Sequence, residues 1–350
     1  MPDKIAMFLG KPQINISCPS SSRMWLIFGC AFACVLQSSF GDGGKSLVIA
    51  FTALLTAVLT ELLLTYRKSR ITTIKDGSAA ASAMILVLLL PNQIHPVYVF
   101  FGTAFSVAVI KYSFGGLGSN WFNPAIGGWL FIRYSWPSAF ILGERHSSVT
   151  EITFSQDISA LDYSISDFLN NSIFSTPGVQ IPPGYIDLLF FNGPGIITDR
   201  GILALLIGTI VITAIGINRG WIPLVFLTVY ILLIRFAGDI NGLLWNGDML
   251  YGFFSGGTIT AAFILAAEPA SGAKLRGGVL FTVILSSVLS WFFRYKCMEY
   301  TGCFIALALT NCFTPLVRVI EDKYFLSRSN RDRDGNRMSS DPVKVKEGLL

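Results

Sequence analysis

Charge is scarce in this sequence. Of 350 residues, only 13% are Asp, Glu, Lys or Arg, about half the share of an ordinary soluble domain. Histidine is nearly missing: His95 and His146 are the only two. Neither a Ser-His-Asp set nor a histidine-bearing zinc site can be assembled from them. The six cysteines, at 18, 30, 34, 297, 303 and 312, contain no CxxC pair. Cys30 and Cys34 share a helix face but lie in an apolar run, and read as buried thiols before they read as cluster ligands. The glycines of Gly115-Gly116-Leu117-Gly118 precede no Lys-Ser/Thr, so they make no P-loop, and no Rossmann fingerprint is present. The first 20 residues are polar, carry Pro2, Pro12 and Pro19, and lack the order of a cleavable signal. These absences leave soluble hydrolysis, nucleotide catalysis and a nucleic-acid partner without support.

What the chain has instead is apolar length. It is 52% hydrophobic, with 28 Phe and 33 Gly, and its mean hydropathy is +0.60. That composition is polytopic and membrane-embedded. Apolar stretches predict ten spans at 24–41, 46–65, 77–91, 96–112, 124–142, 201–217, 221–237, 249–267, 277–293 and 301–320. The domain reading follows: a cytoplasmic segment 1–23, a first membrane repeat 24–142, an extracytoplasmic loop 143–200, a second repeat 201–322 and a polar cytoplasmic tail 323–350. With the N-terminus inside, 19 of the 26 basic residues fall in cytoplasmic segments, which places both termini in the cytoplasm.

The repeat shows in a doubled run. Asp76-Gly77-Ser78-Ala79 turns greasy and stops at Pro91; Ser255-Gly256-Gly257-Thr258 does the same and stops at Pro269. From first glycine to proline the spans are 14 and 13 residues, too short for a full crossing, and so read as broken or half-spanning helices. An Asn and a Pro follow each, Asn123-Pro124 and then Asn311 with Pro315. Five spans per half is an odd number, so the second copy inserts upside down relative to the first. Such inverted repeats hold their polar pathway at the repeat interface.

Ionisable residues at membrane depth are Glu61, Arg133, Arg235 and Glu268. Each is a functional candidate by its cost, although Glu61 and Arg133 can also snorkel from span ends. Glu268 directly precedes the proline of the second run, where a broken helix frees backbone groups to bind an ion. In the outer loop, Thr176-Pro177 offers a hydroxyl on an extended backbone, suited to modification or to an ordinary turn. His95, between Ile94 and Pro96, reads as structural.

Taken together, these stretches resemble the D subunit of the Rnf ion-translocating oxidoreductase and the related B subunit of the Na+-pumping NADH:quinone reductase. The likeness runs over 20–325 and rests on Asp76-Gly77-Ser78-Ala79 to Pro91, Phe114-Gly115-Gly116-Leu117-Gly118 with Asn123-Pro124-Ala125, Ser255-Gly256-Gly257 to Glu268-Pro269, and Asn311 to Pro315-Leu316. The short N-terminal segment favours the Rnf type. The resemblance implies ten helices as inverted five-helix repeats, similar to urea and ammonium channels. It implies a subunit, not catalytic alone, of a complex that couples electron transfer to Na+ or H+ movement across the cell inner membrane. It further implies FMN esterified to Thr176 by a flavin transferase, and it admits a second, noncovalent flavin. The family pattern around that threonine has Asp, Ser, Gly and Ala where this chain has Asn170, Ile173, Phe174 and Ser175, and in the second repeat it has Thr-Asp-Pro where this chain has Ala267-Glu268-Pro269. The candidate ion pathway, read from the residues beside the proline breaks, is Glu268, Asn123 and Asn311; the partners implied are membrane lipid and other Rnf-type subunits. The alternatives are a small-solute channel or transporter of the same fold, or a scaffold subunit without flavin.

Overall fold

A computed structural model describes residues 20–66, 75–113, 120, 122–140, 158–173, 181–190, 195–238, 245 and 247–339, with side chains through Tyr324. The first half is built from α1 (Ser20–Asp42), α2 (Lys45–Tyr66), α3 (Ser78–Leu88), α4 (Pro96–Phe105) with a π-helical turn over Ser106–Lys111, and α5 (Pro124–Ser135). Two outer helices follow, α6 (Ala160–Ser172) and α7 (Tyr185–Phe190), then a single turn α8 (Ile197–Arg200). The second half comprises α9 (Ile202–Ala214), α10 (Trp221–Ala237), α11 (Met249–Phe254), α12 (Thr258–Thr260) running into a π turn Ala261–Leu265, α13 (Arg276–Trp291) with a π turn Phe292–Lys296, and α14 (Gly302–Ser339). Among the described residues no strand forms; Pro91 and Ile196 make an isolated antiparallel bridge. The fold is that of an all-α polytopic membrane protein.

Four segments are long and apolar enough to cross a membrane: Ser20–Asp42, Lys45–Thr65, Arg276–Lys296 and Gly302–Tyr324. α2 shows why they sit in lipid. Phe51, Leu55, Leu59, Leu62 and Leu63 are exposed, and outward apolar side chains at this density need a hydrocarbon solvent. α3, at 11 residues, reaches only about 16 Å, half a bilayer core.

The two halves share one packing scheme. α2 packs on α3 and α4, α4 on α5, and α1 on α3; α10 packs on the π turn after α12 and on α13, α13 on α14, and α9 on α12. The third element of each half starts behind a left-handed glycine, Gly77 at φ 69° and Gly257 at φ 70°. In each, the residue four places on closes the first turn: Ala81 N–H to Gly77 O and Ala261 N–H to Gly257 O, both 2.9 Å. The fourth helix of each half ends in a π turn. The halves meet where α1 packs on α9. There Gly201 and Gly208 lie against Cys34 and Cys30, with no room for a Cβ. Both thiols are buried and pack as small apolar residues.

Residues 196–199, which the sequence reading assigns to the end of the outer loop, are buried between the halves. They satisfy what the break after α3 leaves open. Ile197 N–H donates to Leu90 O at 2.9 Å, and Thr198 Oγ1 donates to Leu88 O at 2.7 Å. A helix end inside a membrane needs such partners. α14 also runs further than the 301–320 span, continuing to Ser339; past Pro315 no proline interrupts the chain until Pro342.

Candidate functional site

Asn123 and Glu268 meet. Asn123 is the N-cap of α5, its Oδ1 accepting from Ala125 N–H at 2.8 Å and Ile126 N–H at 3.1 Å. Pro124 at the first helical position fixes the entry angle. The amide nitrogen of the same side chain donates to Glu268 Oε2. Ser271 Oγ donates to that oxygen as well, at 3.2 Å. A carboxylate at the tip of the second broken element is thus held by a capping residue from the first half.

Three cavities converge on Glu268. One, of about 420 Å³, includes Arg23, Arg219 and Lys274 in its lining. A second, of about 250 Å³, is lined by Ser78, Ser82, Asn120, Asn123 and Asn218 among others. The third, about 30 Å³, is lined by Glu268, Ser271, Ser286, Thr310, Asn311 and Thr314, room for roughly one water. Three of its hydroxyls have one feature in common. Ser286, Thr310 and Thr314 each donate to a carbonyl of their own helix, which leaves oxygen lone pairs as what they can offer a guest. Pro315 has no N–H for the carbonyl of Asn311, so one more oxygen is released beside this space. A carboxylate among hydroxyl and carbonyl oxygens suits a hard cation. Among the described residues, no three His, Cys, Asp or Glu gather as a fixed metal centre.

The segment that carries Glu268 is held from α14. Arg318 donates to Ala270 O at 2.7 Å and to Gly272 O at 2.6 Å. Glu321, one turn on, accepts from Lys274 N–H at 2.9 Å and Leu275 N–H at 3.0 Å. Its carboxylate fills the space where a Cβ on Gly278 would stand.

The other depth-placed charges divide. Glu61 is buried and paired with Lys111 Nζ at 2.9 Å, with Tyr112 OH donating at 2.7 Å. Arg133 pairs with Glu299 of the second half at 3.2 Å. Arg235 is exposed. His95 caps α4, Nδ1 accepting from Val97 N–H at 3.3 Å. His146 and Thr176 lie outside the described residues. Either side of Thr176, Asn170 ties the chain: its Nδ2 donates to Ile181 O at 3.0 Å and its Oδ1 accepts from Ile181 N–H at 2.8 Å. Asp162 accepts from Gly184 N–H and Asp187 N–H, so α6 and α7 form one unit. Tyr185 OH joins it to Asp248 at 2.8 Å; burial and that carboxylate raise the Tyr185 pKa.

One cluster has no counterpart in the sequence reading. Asp199 is buried in α8, accepting from Gly256 N–H and Gly257 N–H, each at 3.0 Å, and from Tyr300 OH at 2.7 Å. Arg294, buried on the π turn after α13, donates to Ser255 O at 2.7 Å and to Tyr230 OH at 3.2 Å. By sequence both belong to outer segments, and the signal that could have found them is the Ser255-Gly256-Gly257 break itself. Its exposed N–H and C=O groups demand a carboxylate and a guanidinium.

This arrangement has relatives. A Clostridium ljungdahlii protein, named as the D subunit of a proton-translocating ferredoxin:NAD(+) oxidoreductase complex, is 26% identical over 311 residues, covering 87% of this chain and 91% of its own length. An Acetobacterium woodii protein, named as the D subunit of a Na(+)-translocating ferredoxin:NAD(+) oxidoreductase complex, is 25% identical over 308 residues, with 87% and 90% covered. The D subunit of an ion-translocating oxidoreductase complex from Methanosarcina acetivorans is 27% identical over 281 residues, with 80% and 82% covered. The NQR2, RnfD, RnfE family matches residues 8–325. That match takes in both broken elements, both Asn-Pro neighbourhoods and the linker between the halves, and the chain therefore belongs to the NQR2, RnfD, RnfE family.

Proposed function

We propose that this protein is the membrane-embedded D subunit of an Rnf-type ion-translocating electron-transport complex in the cell inner membrane, with both termini cytoplasmic. The observation that carries the cation-moving part is the Asn123–Glu268 contact. It joins the two repeats through one carboxylate, and that carboxylate faces three cavities. A cation passing between the halves meets Glu268 as its exchangeable partner. Asn123 and Ser271 hold the carboxylate while the site is empty, and the oxygens around Asn311 accept the ion beyond it. A small-solute channel gains no support from relatives named for coupled redox transport.

The redox part rests on Thr176 as the attachment point for FMN, placed there by a flavin transferase. The flavin, when bound, supplies one- and two-electron chemistry. This chain's described contribution is the base of the segment: Asn170 closes it on Ile181, and Asp162 fixes α6 against α7. Other members of the complex supply the donor and acceptor sites.

The test is purification with native partners, followed by in-gel flavin fluorescence and cation uptake into proteoliposomes. Fluorescence lost in Thr176→Ala supports attachment there. Uptake lost in Glu268→Gln with electron transfer retained supports the pathway. An active complex with no fluorescence removes the covalent flavin, and unchanged uptake in Glu268→Gln removes the pathway.

A further inference from the structure

The largest of the three cavities gathers positive charge from three separate places in the chain. Arg23 comes from α1, Arg219 from the turn between α9 and α10, and Lys274 from the segment before α13. The ion pairs among the described residues are Lys111–Glu61 and Arg133–Glu299, so none of the three cations forms an ion pair there, and the carboxylate in the lining, Glu268, is held by Asn123 and Ser271. Arg23 Nε is buried without a hydrogen-bond partner among the described residues. Arg219 is half-buried; burial, then the like charges of Arg276 and Arg23, lower its pKa. Holding guanidinium groups together in a partly closed space is unfavourable unless an anion offsets them. The rest of the lining includes Ile217, Ile222 and Val279, so the space is basic at one part and greasy at another.

We propose that this cavity binds a phosphate group, carried on an anionic lipid or free in solution, with Arg23, Arg219 and Lys274 as its ligands. Guanidinium forks match phosphate oxygens in pairs, and Lys adds a movable point charge. A volume of about 420 Å³ accommodates the phosphate with adjoining headgroup atoms. The site borders Glu268, so a bound phosphate also neutralises the positive field that a cation approaching that carboxylate would otherwise meet. The proposal is independent of whether Thr176 carries a flavin.

The experiment uses the full chain in nanodiscs. Thermal unfolding is followed in phosphatidylcholine alone, in phosphatidylcholine with phosphatidylglycerol, and in phosphatidylcholine with inorganic phosphate against chloride at equal ionic strength. At least one of the two probes raises the wild-type Tm by roughly 2 °C or more. The rise disappears in Arg23→Gln/Arg219→Gln and persists both in Arg23→Lys/Arg219→Lys and in the exposed control Lys323→Gln. A response to phosphatidylglycerol alone identifies a lipid, to inorganic phosphate alone a soluble anion, and to both the shared phosphate chemistry. No rise with either probe overturns the proposal, as does an equal rise in the glutamine double variant. Size-exclusion profiles of the variants separate loss of binding from loss of fold.

Discussion

Asn123 does two things with one amide. Its oxygen caps α5 and its nitrogen holds Glu268. Only a side chain with both a donor and an acceptor can do this, which makes two substitutions informative. Asn123→Ala removes the cap, at a cost of about 1 kcal/mol, and also frees Glu268. Asn123→Asp keeps the cap but sets one carboxylate against another. Asn123→Asp is therefore expected to retain near-wild-type Tm while cation uptake falls by roughly tenfold or more. Parallel thermal melts and proteoliposome fluxes check it, and equal flux in both proteins would refute the coupling. Asn170 follows the same logic outside the membrane. Its amide both gives to and takes from Ile181, which a carboxylate cannot do. Asn170→Ala removes both bonds and should lower protection of the Ile181 amide in hydrogen exchange, with the spans unaffected. The sequence named Asn123 and Glu268 separately; that they touch could not be read from it, because 145 residues separate them and no local pattern encodes the contact.

At the scale of the element, the broken helices depend on their glycines and on partners from elsewhere. Gly257 sits at φ 70° with Phe304 against the place a Cβ would occupy. Gly257→Ala therefore combines a left-handed backbone with a clash, and should destabilise by more than about 1 kcal/mol, read as a lower Tm. A neutral result there would show that the turn can re-form in another conformation. The segment after the second break is a different case, since it is clamped from α14. Arg318→Gln removes hydrogen bonds to Ala270 and Gly272, costing about 1–3 kcal/mol. Faster hydrogen exchange confined to 268–275, with α14 unchanged, is the expected signature. Element positions were largely legible: each of the ten apolar stretches contains a helix, because apolar length and proline stops act locally. The turn α8 was not. Its residues are polar enough to read as loop, and the carbonyls of Leu88 and Leu90 with the N–H groups of Gly256 and Gly257 give them a reason to be buried.

At the scale of the whole molecule, the charge bias and the odd number of spans per half predict an orientation that labelling can test. In a cysteine-free background, a cysteine in place of the exposed Ser164 on α6 should react with an impermeant reagent from outside. One in place of Lys323 should react only after the membrane is opened. The reverse pattern would turn the topology over. Much of the contact pattern of α1–α5 recurs in α9–α14, and the pair Arg133–Glu299 is a further tie between the halves.

The sequence by itself determined the membrane class, the helix positions, the repeat and the identity of the carboxylate beside the second proline. These are consequences of composition and of residues close together in the chain, where hydropathy and backbone chemistry act. The tertiary structure decided which polar groups meet: Asn123 with Glu268, Asp199 with Gly256 and Gly257, and Arg318 and Glu321 with the Glu268 segment. The reason is that a broken helix inside a membrane must find partners for its backbone groups, with no water to supply them. Which residues answer that need is settled only when distant segments pack.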